Sequence, residues 1–112
     1  MIKRGDIWIV NLEPASHREI HKKRPSLVIS RNVVHEKTTH VIVIPISSQV
    51  SDIIGPEMVL IGKKEGLEKK SVILPLFIRS IDQERLIEKI GSLTEAKLFE
   101  VEESLNLVLQ LK

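Results

Sequence analysis

The sequence predicts an α+β fold, mostly β: a small half-open β-barrel with one C-terminal α-helix. Three observations predict it. Short runs rich in Val, Ile and Leu recur along most of the chain, broken by Pro, Gly and charged turns. Only the segment after Thr94 carries apolar residues at helical spacing. The 112 residues, 42% of them hydrophobic, suffice for one ordinary core and hence one domain, residues 1–112. Several short strands with a single terminal helix suggest a compact, strongly bent sheet or half-open barrel.

The elements follow in order. Ile7 to Val10 reads as a first strand, ended by Glu13-Pro14-Ala15-Ser16. A polar loop then runs to Arg24, and Pro25 biases that residue toward an extended conformation. Ser26 to Ser30 is a second strand, and Val33 to Thr39 a connection with a short helical turn. His40 to Ile46 is a third strand, apolar enough to be buried on both faces. A loop containing Gly55 and Pro56 leads to a fourth strand at Glu57 to Ile61. Lys63 to Lys70 is a charged turn around Gly66. Ser71 to Leu74 and Phe77 to Ile81 are further strands. Pro75 between them lacks an amide proton, which predicts a sheet edge or bulge there. Leu86 to Ile90 is a last short strand. Thr94 is a good helix N-cap, with Glu95 favoured in the first turn. Leu93 and Leu98 are spaced for a hydrophobic staple. Leu98, Val101, Leu105 and Val108 recur at helical spacing, while Leu107, Leu109 and Leu111 widen the apolar surface beyond one stripe; most of it reads as core against the sheet, and a contact with a second subunit is the alternative for the rest.

Composition excludes several classes. Cysteine is absent, so there is no disulfide or thiolate chemistry. The basic pair Lys3-Arg4 is followed by no apolar run, which argues against a signal peptide. No stretch is long and apolar enough to span a bilayer, so a soluble, cytoplasmic protein with no membrane partner is expected. Net charge is only +2, but it is unevenly spread. Arg18, His21, Lys22, Lys23, Arg24 and Arg31 lie together, whereas Glu95, Glu100, Glu102 and Glu103 gather near the C-terminus. A basic patch on the first half is expected. The spacing of His17 and His21 invites a zinc reading, but Arg18 stands where a helical zinc motif needs Glu, and no third ligand matches. His35 and His40 read as surface or strand-end residues. Neither metal nor other cofactor is expected.

Six motifs occur in a particular order: Arg4-Gly5-Asp6-Ile7-Trp8, Leu12-Glu13-Pro14, Lys23-Arg24-Pro25 with the strand after it, Pro45-Ile46-Ser47-Ser48-Gln49, Ser71 to Leu74 with Ile78 to Asp82 and Arg85-Leu86, and Ile90 to Thr94. Each alone is weak. The ordered set covers nearly the whole chain and resembles the MazF/PemK toxin family of type II toxin–antitoxin systems. Three positions depart from its pattern. The loop reads His17-Arg18-Glu19 where the family has a glycine first. Ser47 replaces a threonine, keeping the hydroxyl but losing the β-branch that restricts χ1. Phe77 stands where glutamine is frequent.

The resemblance implies the CcdB/PemK-like plasmid maintenance toxin fold and a homodimer that cuts single-stranded RNA. It implies an antitoxin protein as partner, and products with a cyclic phosphate and a 5′-hydroxyl. Such cleavage needs no metal, because the RNA's own 2′-hydroxyl is the nucleophile. The protein must align that hydroxyl and stabilise a transition state with added negative charge. Arg24 matches the family's catalytic arginine, and a guanidinium suits the task because it stays charged and donates in a planar fork. Ser47 would donate to the scissile phosphate. Glu19 would serve as general base or hold Arg24 in place, positioning being the favoured role. His21 is an alternative proton-transfer group. Arg18, Lys22, Lys23, Ser48, Gln49 and Arg79 are the RNA-binding candidates. Trp8 reads as core. Two other functions fit the same fold: a gyrase poison of the CcdB type, and an RNA-binding protein without catalysis.

Overall fold

The computed structural model describes residues 1–13, 22–50 and 57–111. Among the described residues run β1 (Asp6–Asn11), β2 (Lys23–Val28), α1 (Asn32–Lys37), β3 (His40–Ser47), β4 (Val59–Ile61), β5 (Ser71–Ile73), β6 (Arg79–Asp82), β7 (Leu86–Ser92) and α2 (Glu95–Leu109). The strands pair in the order β4-β5-β3-β2-β1-β7, and every pairing is antiparallel. β3 is the hinge of the sheet. Its first half pairs with β6 and its last two residues with β5, while β2 lies along its other edge. Two register shifts between β1 and β7 add local twist. The outcome is a curled half-barrel with one long helix.

One proline sets where the sheet opens. Hydrogen-bonded pairs in an antiparallel ladder recur at every second residue. The Ile29 amide donates to the Ile42 carbonyl at 3.0 Å. In the same register Leu27 faces Ile44, so Pro25 and Ile46 would form the next bonded pair. Pro25 has no amide proton to give. The β2–β3 ladder accordingly stops at Ser26–Pro45. The β1–β2 ladder continues to Asn11–Lys23, because the Pro25 backbone points away from β1. This is why β2 begins at Lys23, three residues earlier than expected.

The sheet carries one apolar cluster on each face. Ile7, Leu27, Ile44, Ile46, Ile73 and their neighbours pack under Val101 and Leu105 of α2. Val10, Leu12, Val28, Val41, Val43 and Ile81 form the other cluster. Trp8 is only half-buried and flanks the second cluster rather than filling a core. The start of α2 is as expected: Thr94 Oγ1 accepts from the Lys97 amide at 3.2 Å, and Leu93 and Leu98 both pack on the first cluster. Arg4 ties α2 to the sheet by donating to the Ile29 carbonyl and to Glu102. Among the described residues no helix is long and apolar enough to cross a membrane.

The region after β5 differs from expectation. Pro75 lies at neither an edge nor a bulge but is buried at the start of a 3₁₀ turn, Pro75–Phe77. Its fixed φ suits the first turn position, where no amide partner is required. Phe77 therefore belongs to the turn, and β6 starts only at Arg79. Glu57 and Met58 likewise precede β4 rather than belonging to it.

Candidate active site

Arg24 sits where β2 and β3 part. It pairs with Val10 of β1, so its backbone is fixed on one side, while the other side of β2 lacks the β3 ladder. The loop leading to it is closed at its stem. The Leu12 amide donates to the Lys22 carbonyl at 3.0 Å, and the Lys22 amide donates to Glu13 Oε1 at 3.1 Å. Lys22 adopts φ 73°, a left-handed conformation that a lysine takes only when its surroundings impose it. His17, Arg18, Glu19 and His21 lie outside the described residues.

Ser47 ends β3 across this opening. Continuing the β2–β3 register places it opposite Arg24. Its Oγ accepts from the Gln49 amide at 3.1 Å. That bond uses an oxygen lone pair and leaves the hydroxyl proton to be donated elsewhere. The turn thus fixes Ser47 and projects Ser48 and Gln49 as exposed side chains. A serine held this way recovers some of the rotamer restriction that a threonine has intrinsically.

Arg24 and Ser48 line a cavity of about 440 Å³. Ile9, Pro25, Ile46 and Ile90 supply apolar wall from four strands. The segment Gly66 to Lys69 closes the far side. That wall is fixed by close backbone contact with β7. Gly66 has φ +101°, and a Cβ there would stand 2.2 Å from the Ile90 carbonyl oxygen. The turn before it is held by buried Glu65, whose Oε1 accepts from the Gly62 amide at 2.6 Å.

Three charged residues of the cavity went unanticipated: Glu68, Lys69 and Glu88. Glu88 carried a usable signal, since it alternates with Ile90 along β7 and faces Ile9 across the β1–β7 ladder. Glu68 carried none, because its approach depends on packing between segments far apart in sequence. Ser47, Gln49, Lys22 and Lys23 lie around the opening without lining the cavity. Arg79 is not brought there. It is absent from the cavity lining, and its guanidinium donates to the Leu12 carbonyl at 3.4 Å. Among the described residues, no three His, Cys, Asp or Glu side chains gather as metal ligands would.

The arrangement offers a cation with a planar fork, a fixed hydroxyl and an adjoining recess, which together suit an anionic phosphodiester and one attached group. Residues 3–109 match the family described as PemK-like, MazF-like toxin of type II toxin–antitoxin systems. The chain is 37% identical over 112 residues to the endoribonuclease MazF of Staphylococcus epidermidis, covering 99% of this chain and 93% of that protein. It is 36% identical to endoribonuclease EndoA of Bacillus subtilis, over 99% and 97% of the two chains. The crystal structure of MazF from Deinococcus radiodurans superposes with a TM-score of 0.86 over 98% of this chain and 97% of that one, at 24% identity.

Proposed function

The chain belongs to the PemK-like, MazF-like toxins of type II toxin–antitoxin systems, and from that premise we propose that it is an endoribonuclease toxin cutting single-stranded RNA without a metal. Its partners are RNA and a cognate antitoxin. It acts in the cytoplasm as a homodimer, each chain working as one domain. The observation that carries the site assignment is the parting of β2 from β3 at Pro25, with Arg24 on one lip and Ser47 opposite in register.

The reaction follows from these groups. The RNA strand enters where the ladder is missing, and its scissile phosphate meets Arg24. The guanidinium donates to the non-bridging oxygens, and its charge offsets the negative charge added as the 2′-oxygen attacks phosphorus. Ser47 donates its free proton to the same phosphate, and Ser48 and Gln49 steady the strand next to it. The 2′-hydroxyl proton passes to a general base, and the 5′-oxygen leaves with a proton. The products are a cyclic phosphate and a 5′-hydroxyl. Glu19, a few residues before Arg24 in sequence, serves as a partner that aims it. Arg18, Lys22, Lys23 and Arg79 contribute positive potential along the flanks. Exposed Phe99, Leu107 and Leu109 on α2 give the chain an apolar face suited to a second copy.

Purified protein incubated in EDTA with a long single-stranded RNA tests this. Discrete cuts with 5′-hydroxyl ends, absent in Arg24→Ala, are expected. RNA left intact by the wild type would overturn the enzyme reading and favour gyrase inhibition or RNA binding alone. Retained cutting by Arg24→Ala would overturn the site.

A further inference from the structure

We propose that the cavity beside Arg24 is a nucleobase pocket whose Glu68 and Glu88 select, at one position next to the cut, a base bearing an exocyclic amino group. The proposal rests on the ribonuclease reading above and deepens it.

Part of the cavity is poorly suited to a phosphate. Two carboxylates line it there, and an RNA phosphate carries the same charge. Both residues line the cavity and are exposed, and among the described residues neither is held in a salt bridge. An enzyme for a polyanion that keeps two such carboxylates beside its catalytic arginine must present them to something else. The walls indicate what that is. Ile9, Pro25, Ile46 and Ile90 make a slot of flat aliphatic surface, and its volume lies within the range typical of small-ligand sites. The chain has few aromatic side chains for stacking, so an unstacked base must be held by such a slot and by its edge.

Edge chemistry then sets the preference. An ionised carboxylate only accepts hydrogen bonds. Cytosine, adenine and guanine each offer an amino group to it, as in glutamate contacts to the cytosine amino group. Uracil offers a single N–H flanked by two carbonyl oxygens, whose lone pairs would face the carboxylate. The two glutamates are also well placed to act as readers. Glu88 is fixed in β7 opposite Ile9, and Glu68 follows the Gly66 turn locked against β7. Arg24 meets the scissile phosphate, and Lys69 in the same cavity supplies a cation for a flanking one.

Cut sites on one long RNA are mapped for the wild type, Glu68→Gln and Glu88→Gln, with circular dichroism confirming that each variant is folded. The readout is the ratio of kcat/KM between bases at each position, not the absolute rate. At one position beside the cut, the wild type is expected to disfavour uracil, and the variants to reduce that discrimination by roughly tenfold. A short oligonucleotide whose base at that position lacks its amino group is expected to lose roughly tenfold with the wild type, and much less with the variants. Identical base preferences in all three proteins, or a wild-type preference for uracil at every position beside the cut, would overturn the proposal. A wild type that cuts no RNA overturns the ribonuclease reading itself, and with it this one.

Discussion

Replacing Gly91 by alanine should loosen the cavity wall and destabilise the whole fold. A Cβ at this position would stand 1.9 Å from the Glu65 carbonyl oxygen and 2.8 Å from the Glu65 carbonyl carbon. Real Cβ contacts do not fall below 3.0 Å, so the two backbones must separate by about 1 Å. The Glu65 side cannot yield freely. Its turn is closed by the Glu65 amide on Gly62, the Gly66 amide on Lys63, the Leu67 amide on Gly62, and the Gly62 amide on the Glu65 carboxylate. Breaking two of these costs about 2 kcal/mol at ~1 kcal/mol each. Shifting β7 instead disturbs packing, at a cost of about 1–3 kcal/mol. Either route gives a loss of about 1–3 kcal/mol, read as a lower urea midpoint with an unchanged slope. Gly62→Ala is the control on the same turn. Its Cβ would meet only Lys70 Cα at 3.9 Å, and its φ of −167° is ordinary extended backbone. It should change stability by less than about 0.5 kcal/mol. Equal midpoints for Gly91→Ala and the wild type would refute the reasoning that this crossing is rigid.

Other outcomes follow from the same structure. Arg24→Lys keeps the charge but loses the planar fork. Cleavage should fall by at least roughly tenfold, the loss of one charge-assisted hydrogen bond, with the melting temperature unchanged; single-turnover cleavage of a fixed oligonucleotide checks this. Pro25→Ala gives β2 a proton aimed at Ile46, so the ladder should extend by one pair. A slowly exchanging amide at position 25, together with slower cleavage, is expected by hydrogen-exchange NMR and the RNA assay. Leu27→Ala removes a fully buried side chain from the cluster under α2, at a cost of about 2–5 kcal/mol in denaturant unfolding.

Where the chain's local chemistry decides the outcome, the sequence was readable. The order of strands, the Thr94 cap and the Leu93–Leu98 contact all depend on neighbours in sequence, and patterning captured them. The errors share a different cause. Pro75 was read by its missing proton alone, yet its fixed φ and burial put it inside a turn, which displaced Phe77 from the strand. β2 begins at Lys23 rather than Ser26 because Pro25 interrupts pairing with β3 alone and leaves the β1 ladder intact. At the candidate site, Arg24 and Ser47 were named from motifs, and only the sheet register sets them opposite each other. Arg79 carries a matching motif but does not line the cavity, since its guanidinium reaches the Leu12 carbonyl instead. Glu68 joins Glu88 only through the close crossing of Gly66 over β7, a contact with no local signature.

The gap at Pro25 also bears on how the protein avoids sticking to itself. An interrupted ladder ordinarily leaves a donor and an acceptor side by side, and that pair is a template for a strand from another chain. Here the donor does not exist. A foreign strand reaching the opening finds no amide at Pro25, so it can complete only half of the bonded pair that would anchor it. The exposed Lys23 beside it adds charge that an incoming strand would have to accommodate. The same ring that holds the ladder open beside Arg24 therefore makes the opening a poor seed for aggregation, and a substitution that restored the proton would expose the chain to that hazard.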